Sequence, residues 1–184
     1  MSVIQSKIML DQSVVRGRSI TTKVGTVTLT NADGRHDFDF IFGSWEVSNR
    51  TLNKLLVGSD DWKEFPSSAT CRPLLGGIHN LEEVTFPHRD GGCALRTFDA
   101  TTQLWSIYWI TVNEGLTTPV VGRFDNGVGD FFGDEMYEGT AIRVRYRWQP
   151  QTVDTAHWDQ AFSTDAGTTW ETNWTMEFTR TAAA

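Results

Sequence analysis

The most regular pattern in this chain is an alternation of apolar and polar positions between residues 141 and 180. Three stretches of this run carry mainly apolar side chains at even-numbered positions, namely Ile142, Val144, Tyr146, Trp148, Trp158, Gln160, Phe162, Trp170, Thr172, Trp174, Met176 and Phe178. Successive side chains of a β-strand point to opposite faces, so a period of two predicts strands with one buried and one solvated face. Turn signals at Pro150 and Gly167 separate the stretches. The run therefore predicts three antiparallel strands that share an aromatic wall.

The odd-numbered positions of the same strands are mostly charged or polar. They include Arg143, Arg145, Arg147, His157, Asp159, Glu171 and Glu177. An antiparallel sheet normally turns its apolar face inward, which favours an outer face on which opposite charges pair across strands. The alternative is catalytic, because His157 and Asp159 would form an acid–base pair if this face lined a cavity. Tyr146, a phenol on the apolar wall, is the third catalytic candidate.

Shorter β-branched and aromatic runs occupy the chain before these three strands. They span residues 38–50, 62–75, 78–86, 93–98, 104–111, 119–124 and 128–132. Turn signals such as Gly76-Gly77 and Asp125-Asn126-Gly127 lie between them. The total of about nine or ten strands is enough to close an antiparallel up-and-down β-barrel with an interior of ligand size. The predicted fold class is therefore all-β.

The chain divides into two parts by composition. Residues 1–35 are less apolar and are predicted to form an N-terminal arm or an extra strand, whereas residues 36–181 form the barrel domain. The strand at 104–111 (LWSIYWIT) is apolar on both faces. Such a strand faces the core on one side and a further layer on the other. This pattern favours a homodimer, or a cover provided by the N-terminal arm.

Charge and motif content restrict the partners. The net charge of −7 argues against a nucleic-acid partner, which would require basic patches. No stretch has the length and apolarity of a signal peptide or a membrane span, so we expect a cytoplasmic protein without a membrane partner. Cys71 and Cys93 lack CxxC spacing and are predicted to be free thiols.

No cofactor or metal is expected from the sequence. It contains no P-loop, GxGxxG, GxSxG or HExxH motif. His79 shares a strand face with Glu83, but Glu82 points away, so a metal would have at most two ligands there. His36 and His88 lie beside turns and are interpreted as solvated.

Gly43 and Trp45 on the first predicted barrel strand, with Arg180 at the end of the last, carry a resemblance to a known family. Gly-x-Trp at this position resembles the signature of the lipocalins and the wider calycin barrels. The Phe-x-x-Gly-x-Trp segment at 40–45 and Trp-Glu-x-Asn-Trp at 170–174 also resemble an uncharacterised bacterial family of lipocalin-like proteins, over about residues 37–180. The resemblance implies a lipocalin-like barrel whose end is closed by Arg180 over Trp45. It implies no established reaction, and the missing secretion signal and disulfide do not favour a secreted transporter.

Three functional hypotheses follow. The first is binding of a small hydrophobic molecule, aromatic or polycyclic, with Gln160 orienting it. The predicted wall of that site is Trp45, Tyr146, Trp148, Trp158, Gln160, Phe162, Trp174, Met176 and Phe178. The second is an enzyme on the same barrel that isomerises, cyclises or hydrates an apolar metabolite by enclosure and acid–base help. The third is a dimeric interaction module with a filled core.

Overall fold

The computed structural model describes residues 33–181, of which 66% are in β-strands. Two 3-10 helices, Gly34–His36 and Asp39–Ile41, precede the first strand, and a third spans Leu75–Gly77. The strands are β1 Gly43–Leu52, β2 Trp62–Leu74, β3 His79–Phe86, β4 Arg89–Asp99, β5 Leu104–Thr111, β6 Gly115–Leu116, β7 Val120–Asp125, β8 Val128–Tyr137, β9 Thr140–Pro150, β10 Thr155–Ser163 and β11 Glu171–Arg180.

These strands close into a barrel. The order of neighbours is β4-β3-β2-β1-β11-β10-β9-β8-β7-β5, and pairing of β4 with β5 completes the ring. Every adjacent pair is antiparallel, and the two-residue β6 adds only to the end of β5. The structure therefore confirms an all-β, antiparallel up-and-down barrel, with ten strands in the ring.

Three predicted strand boundaries are wrong. The strand expected at 38–50 begins only at Gly43, because Phe38 and Ile41 turn inward to fill the barrel end. The strand expected at 93–98 begins already at Arg89, because β4 pairs with β3 from that residue onward and only a two-residue turn separates them. The strand expected at 128–132 continues as far as Tyr137, because the backbone of β8 keeps pairing with β9.

One end of the barrel is closed by aromatic side chains in mutual contact. Phe38, supplied by the 3-10 segment, meets Trp105 edge-on at 5.0 Å between ring centroids and Phe131 at 5.5 Å. All three are fully buried. The Trp105 indole donates to the carbonyl of Gly34 at 2.8 Å, which holds the inserted segment against the strands. This end is solid core.

Arg180 lies across the same end, over the ring of Trp45. Its guanidinium carbon is 4.1 Å from the Trp45 ring centroid, and its nitrogens donate to the carbonyls of Phe42 at 2.6 Å and Phe40 at 2.8 Å. Gly43 has φ of +108°, and a Cβ there would lie 2.9 Å from an Arg180 nitrogen. The Gly-x-Trp motif thus supplies both the bend and the space that this arginine occupies.

Two expectations about the surroundings of the barrel stay predictions. Residues 1–32 of the expected N-terminal arm lie outside the described residues. The outward side chains of β5, including Tyr108 and Ile110, are half-buried. Within residues 33–181 no helix has the length and apolarity needed to cross a membrane.

Candidate functional site

The barrel interior contains a cavity of about 140 Å³ beyond the solid end. Its wall is Glu82, Val84, Ala94, Arg96, Ile107, Trp109, Tyr146, Trp148, Trp158, Gln160, Trp174, Met176 and Phe178. These residues come from β3, β4, β5, β9, β10 and β11. Five of the rings are Trp or Tyr, so the cavity is mainly aromatic.

Most of the aromatic wall predicted from strand parity does line this cavity. Tyr146, Trp148, Trp158, Gln160, Trp174, Met176 and Phe178 are all part of its surface. Trp45 lies instead at the closed end beneath Arg180. Phe162 is buried against Tyr137, with 5.8 Å between ring centroids. Strand parity identifies the inward face, but it does not tell which inward residues border empty space.

Sequence reasoning missed the half of the wall formed by β3, β4 and β5. It comprises Glu82, Val84, Ala94, Arg96, Ile107 and Trp109. The parity of residues 78–86 contained a signal, because Val84 and Phe86 alternate with exposed polar positions and Glu82 shares their face. Gly92 leaves room for the Trp109 indole, because a Cβ at Gly92 would lie 2.3 Å from that ring.

Glu82 and Arg96 form an ion pair inside the barrel. Their side chains are 3% and 1% exposed, and Arg96 Nη2 donates to Glu82 Oε2. Arg96 Nη1 also donates to Asn80 Oδ1 at 3.0 Å, and the Cys71 thiol lies beside the same amide. Burial raises the pKa of Cys71 to about 12, so this thiol stays protonated. Arg96 is further held between Phe38 and Trp148, each ring centroid 5.0 Å from its guanidinium carbon.

This ion pair is incompletely bonded. Glu82 Oε1 and Arg96 Nε are both buried, and neither has a hydrogen-bond partner among the described residues. The Asn80 Nδ2 atom is in the same condition. Buried polar atoms are satisfied in the large majority of cases, and an orphaned one costs roughly 1–3 kcal/mol, more when it is charged. Glu82 and Arg96, which line the cavity, therefore each keep a polar atom that makes no hydrogen bond to the described residues.

A second polar pair stands on the opposite side of the cavity. Tyr146 on β9 and Gln160 on β10 lie four or five strands around the ten-strand ring from β4 and β3. Gln160 Nε2 donates to Asn173 Oδ1 at 2.8 Å, which fixes the amide, and a register shift after Gln160 brings Asn173 inward. Burial raises the pKa of Tyr146, so its phenol stays protonated as a potential donor.

His157 and Asp159 lie on the outer face, behind the wall that carries Trp158 and Gln160. His157 Nδ1 is 2.6 Å from Glu177 Oε1, and its Nε2 is 3.7 Å from Asp159 Oδ2. Arg145 Nη2 donates to Asp159 Oδ1 at 3.0 Å. These contacts raise the pKa of His157, with its hydrogen bond to Asp159 as the largest cause. Burial would raise the pKa of Asp159, but bonds from His157 and Arg145 outweigh it and lower that pKa.

The structure therefore does not bring the three catalytic candidates together. Tyr146 faces the cavity, whereas His157 and Asp159 belong to a network of paired charges outside it. On the same face Arg147 donates a bidentate pair of hydrogen bonds to the Asp130 carboxylate, at 2.7 and 2.9 Å. Within the described residues no group of three or more His, Cys, Asp or Glu is arranged to hold a metal ion.

Arg89 covers aromatic side chains at the end of the barrel away from Arg180. Its guanidinium carbon lies 3.9 Å from the Phe86 ring centroid and 5.4 Å from that of Trp174. Trp174 also lines the cavity, and its indole donates to the buried Asn49 at 3.1 Å. The side of the cavity near β3 and β11 thus ends in a stacked cation rather than in solid core.

A scan against protein-family models found no match, and a search of curated proteins found none either. The lipocalin-like resemblance consequently stands on the motif residues and on the barrel itself. A closed antiparallel barrel of ten strands is compatible with a lipocalin-like fold.

Proposed function

We propose that this protein binds a small aromatic molecule inside its barrel. The observation that carries the proposal is the cavity of about 140 Å³ bordered by Trp109, Tyr146, Trp148, Trp158 and Trp174. Apolar cavities with a few placed polar groups are the usual form of a small-molecule site. A dry, filled barrel, as the interaction-module hypothesis requires, would leave no such volume.

The volume limits the size of the ligand. An apolar cavity of about 150 Å³ is known to stay dry and to accept benzene. The present cavity is similar in volume, so a single ring or a compact fused pair fits it. Larger polycyclic molecules would require the wall to move.

The aromatic wall suits a flat ligand. Trp158 meets Tyr146 at 5.1 Å and Trp174 at 5.7 Å, both nearly edge-on, so ring faces and edges are presented around the volume. Offset and edge-to-face contacts of this kind each add about 0.5–1.5 kcal/mol beyond area burial. The flexible Met176 completes the lining and adapts to ligand shape.

The second candidate is an enzyme on the same barrel, and one observation favours it. Glu82 brings a carboxylate to the cavity wall, across the barrel from the Tyr146 phenol. A reaction assisted by an acid or a base needs such a group within hydrogen-bond reach of the substrate. The test is to incubate the protein with a small aromatic molecule and to analyse what is recovered. A chemically altered product that the Glu82→Gln variant does not form would distinguish an enzyme from a simple binding protein.

Native mass spectrometry of protein purified from its own host, before any ligand is added, tests the proposal. We expect a discrete adduct of one small aromatic molecule per chain. The matched control is Ala94→Leu, because this substitution adds three carbons to a side chain that lines the cavity. Bare protein in both samples, with no thermal shift across a panel of one- and two-ring aromatics, would overturn the proposal.

A further inference from the structure

The buried ion pair on β3 and β4 does more than fill space, since it borders the cavity. Glu82 and Arg96 are the charged residues of the lining, and the rest of that surface is apolar except for Tyr146 and Gln160. Replacing a buried ion pair by apolar side chains of similar size is often neutral or stabilising. Stability alone therefore does not explain why an ion pair with unpartnered atoms lies at the wall of a cavity.

We infer that Glu82 and Arg96 recognise the polar end of the ligand, and that the ligand is a neutral aromatic molecule with a hydrogen-bond donor on its ring. This inference rests on the proposed function and specifies its substrate class. Glu82 lines the cavity, and its buried Oε1 has no partner among the described residues, so we assign to this carboxylate the role of accepting a ring N–H or O–H. Arg96 Nε, the orphaned donor of the same ion pair, suits an acceptor on the same ring.

The charge of the site points to a neutral ligand. Glu82 and Arg96 already neutralise each other through their direct contact, and the lining contains no other charged side chain. A ligand with a net charge would lose its hydration without gaining an opposite charge, which is costly in an apolar interior. A neutral donor loses far less hydration than an ion does, and its hydrogen bond satisfies the unpartnered carboxylate oxygen.

The pair is also held rigidly enough to discriminate. Asn80 and the rings of Phe38 and Trp148 fix the Arg96 guanidinium, and Arg96 in turn fixes Glu82. A site whose polar groups are pre-positioned rejects an analogue that lacks the matching group, because the buried atom is then left unpaired. The selectivity should appear as a difference between ligands of the same shape.

Two isosteric ligand pairs test this in the unmodified protein: aniline against toluene, and indole against benzofuran. In each pair the first molecule carries an N–H donor and the second does not. We expect the donor to bind at least about tenfold tighter by isothermal titration, as a hydrogen bond to a charged group would give. Equal affinities within each pair would overturn the inference and leave the proposed function intact. Failure of all four ligands to bind would overturn the proposed function itself.

Variants assign the preference to the pair. In Glu82→Leu/Arg96→Met both charges are removed together, so neither is left unpaired, and we expect toluene to bind while the preference for aniline disappears. The control is Glu83→Gln, because Glu83 is the exposed neighbour on the other face of β3. Persistence of the aniline preference in the double variant, with its fold verified by circular dichroism, would contradict the assignment.

Discussion

The two halves of the barrel interior are both aromatic, yet one is solid and the other is hollow. At the closed end Phe38, Trp105 and Phe131 are fully buried and in mutual contact. In the other half Tyr146, Trp158 and others surround a volume of about 140 Å³. The difference is that the 3-10 segment inserts Phe38 and Ile41 into the closed end. Where an inserted segment fills the barrel, the aromatic side chains of the strands form solid core. Where no segment is inserted, the same kind of side chains surround a cavity.

Small residues sharpen the same contrast. Ala94 contributes only a methyl group to the cavity wall. Ala156, at the start of β10, is fully buried and is not part of the cavity wall. The same residue type therefore borders empty space at one position and close-packed neighbours at the other. The expected consequences of mutation differ accordingly.

The largest expected effect is loss of a ring from the closed end. Trp105→Ala should lower the free energy of unfolding by about 3–5 kcal/mol, because it removes a fully buried ring and the bond to Gly34. Trp158→Ala should cost less, about 2 kcal/mol, because one side of that ring already borders the cavity and has fewer contacts to lose. Urea unfolding followed by far-ultraviolet circular dichroism measures both. Equal losses would mean that the two halves are equally well packed.

Arg180→Ala tests how the closed end is sealed. We expect a loss of about 2–3 kcal/mol, because three carbonyls lose their charged donor and Trp45 loses the cation over its ring. Arg147→Ala is the matched control, since its half-exposed pair with Asp130 should contribute at most about 1 kcal/mol. Binding of small aromatics should survive in both variants. A loss of binding in Arg180→Ala alone would show that the two halves are coupled.

Matched alanine substitutions compare the two halves directly. Ala156→Leu overpacks the solid core and should destabilise the fold by about 1–3 kcal/mol. Ala94→Leu enters the cavity, so we expect little change in the melting temperature together with loss of ligand binding. Thermal unfolding and titration with toluene measure these outcomes. Comparable destabilisation by the two leucines would contradict the presence of free volume beside Ala94.

The smallest effect concerns the outer charged face. Bonds to Asp159 and Glu177 raise the pKa of His157 above its ordinary value of 6.5 in the folded protein. The stabilisation is complete below that ordinary value and is lost as the pH rises through the raised pKa. From about pH 6 to pH 9 we expect a loss of at most about 1 kcal/mol that His157→Gln does not show. A pH-dependent change in ligand affinity that this substitution abolishes would place His157 in the site after all.

The sequence predicts some parts of this arrangement much better than others. The alternation on β9, β10 and the second half of β11 identifies their inward face, because the inward positions there are apolar apart from Tyr146 and Gln160. It fails at Asn173, which a register shift brings inward. Glu82 and Arg96 escape the same logic, because charged side chains are normally assigned to the outside. Their inward placement becomes intelligible only when pairing of β3 with β4 brings the two opposite charges together.

The segment before β1 shows a different limit. Phe38, Phe40 and Phe42 alternate as a strand would, yet Asp39–Ile41 is a 3-10 helix and the strand begins at Gly43. The same run places Phe38 and Ile41 three residues apart, which is the repeat of a 3-10 helix, so a run this short fits either structure. Contacts of Phe38 with Trp105 and of Phe40 with Trp148 decide between them. The volume of the cavity likewise cannot be predicted from the sequence, since it depends on how side chains from opposite strands pack against one another.

The most direct test of the central claim is to locate a bound aromatic molecule. Crystals soaked in 4-iodophenol allow the iodine to be placed by its anomalous scattering. We predict a peak inside the barrel, within contact distance of about 4 Å from Trp158, Met176 or Trp109. Peaks confined to the outer surface, or none at saturating concentration, would contradict the claim that the cavity is a ligand site.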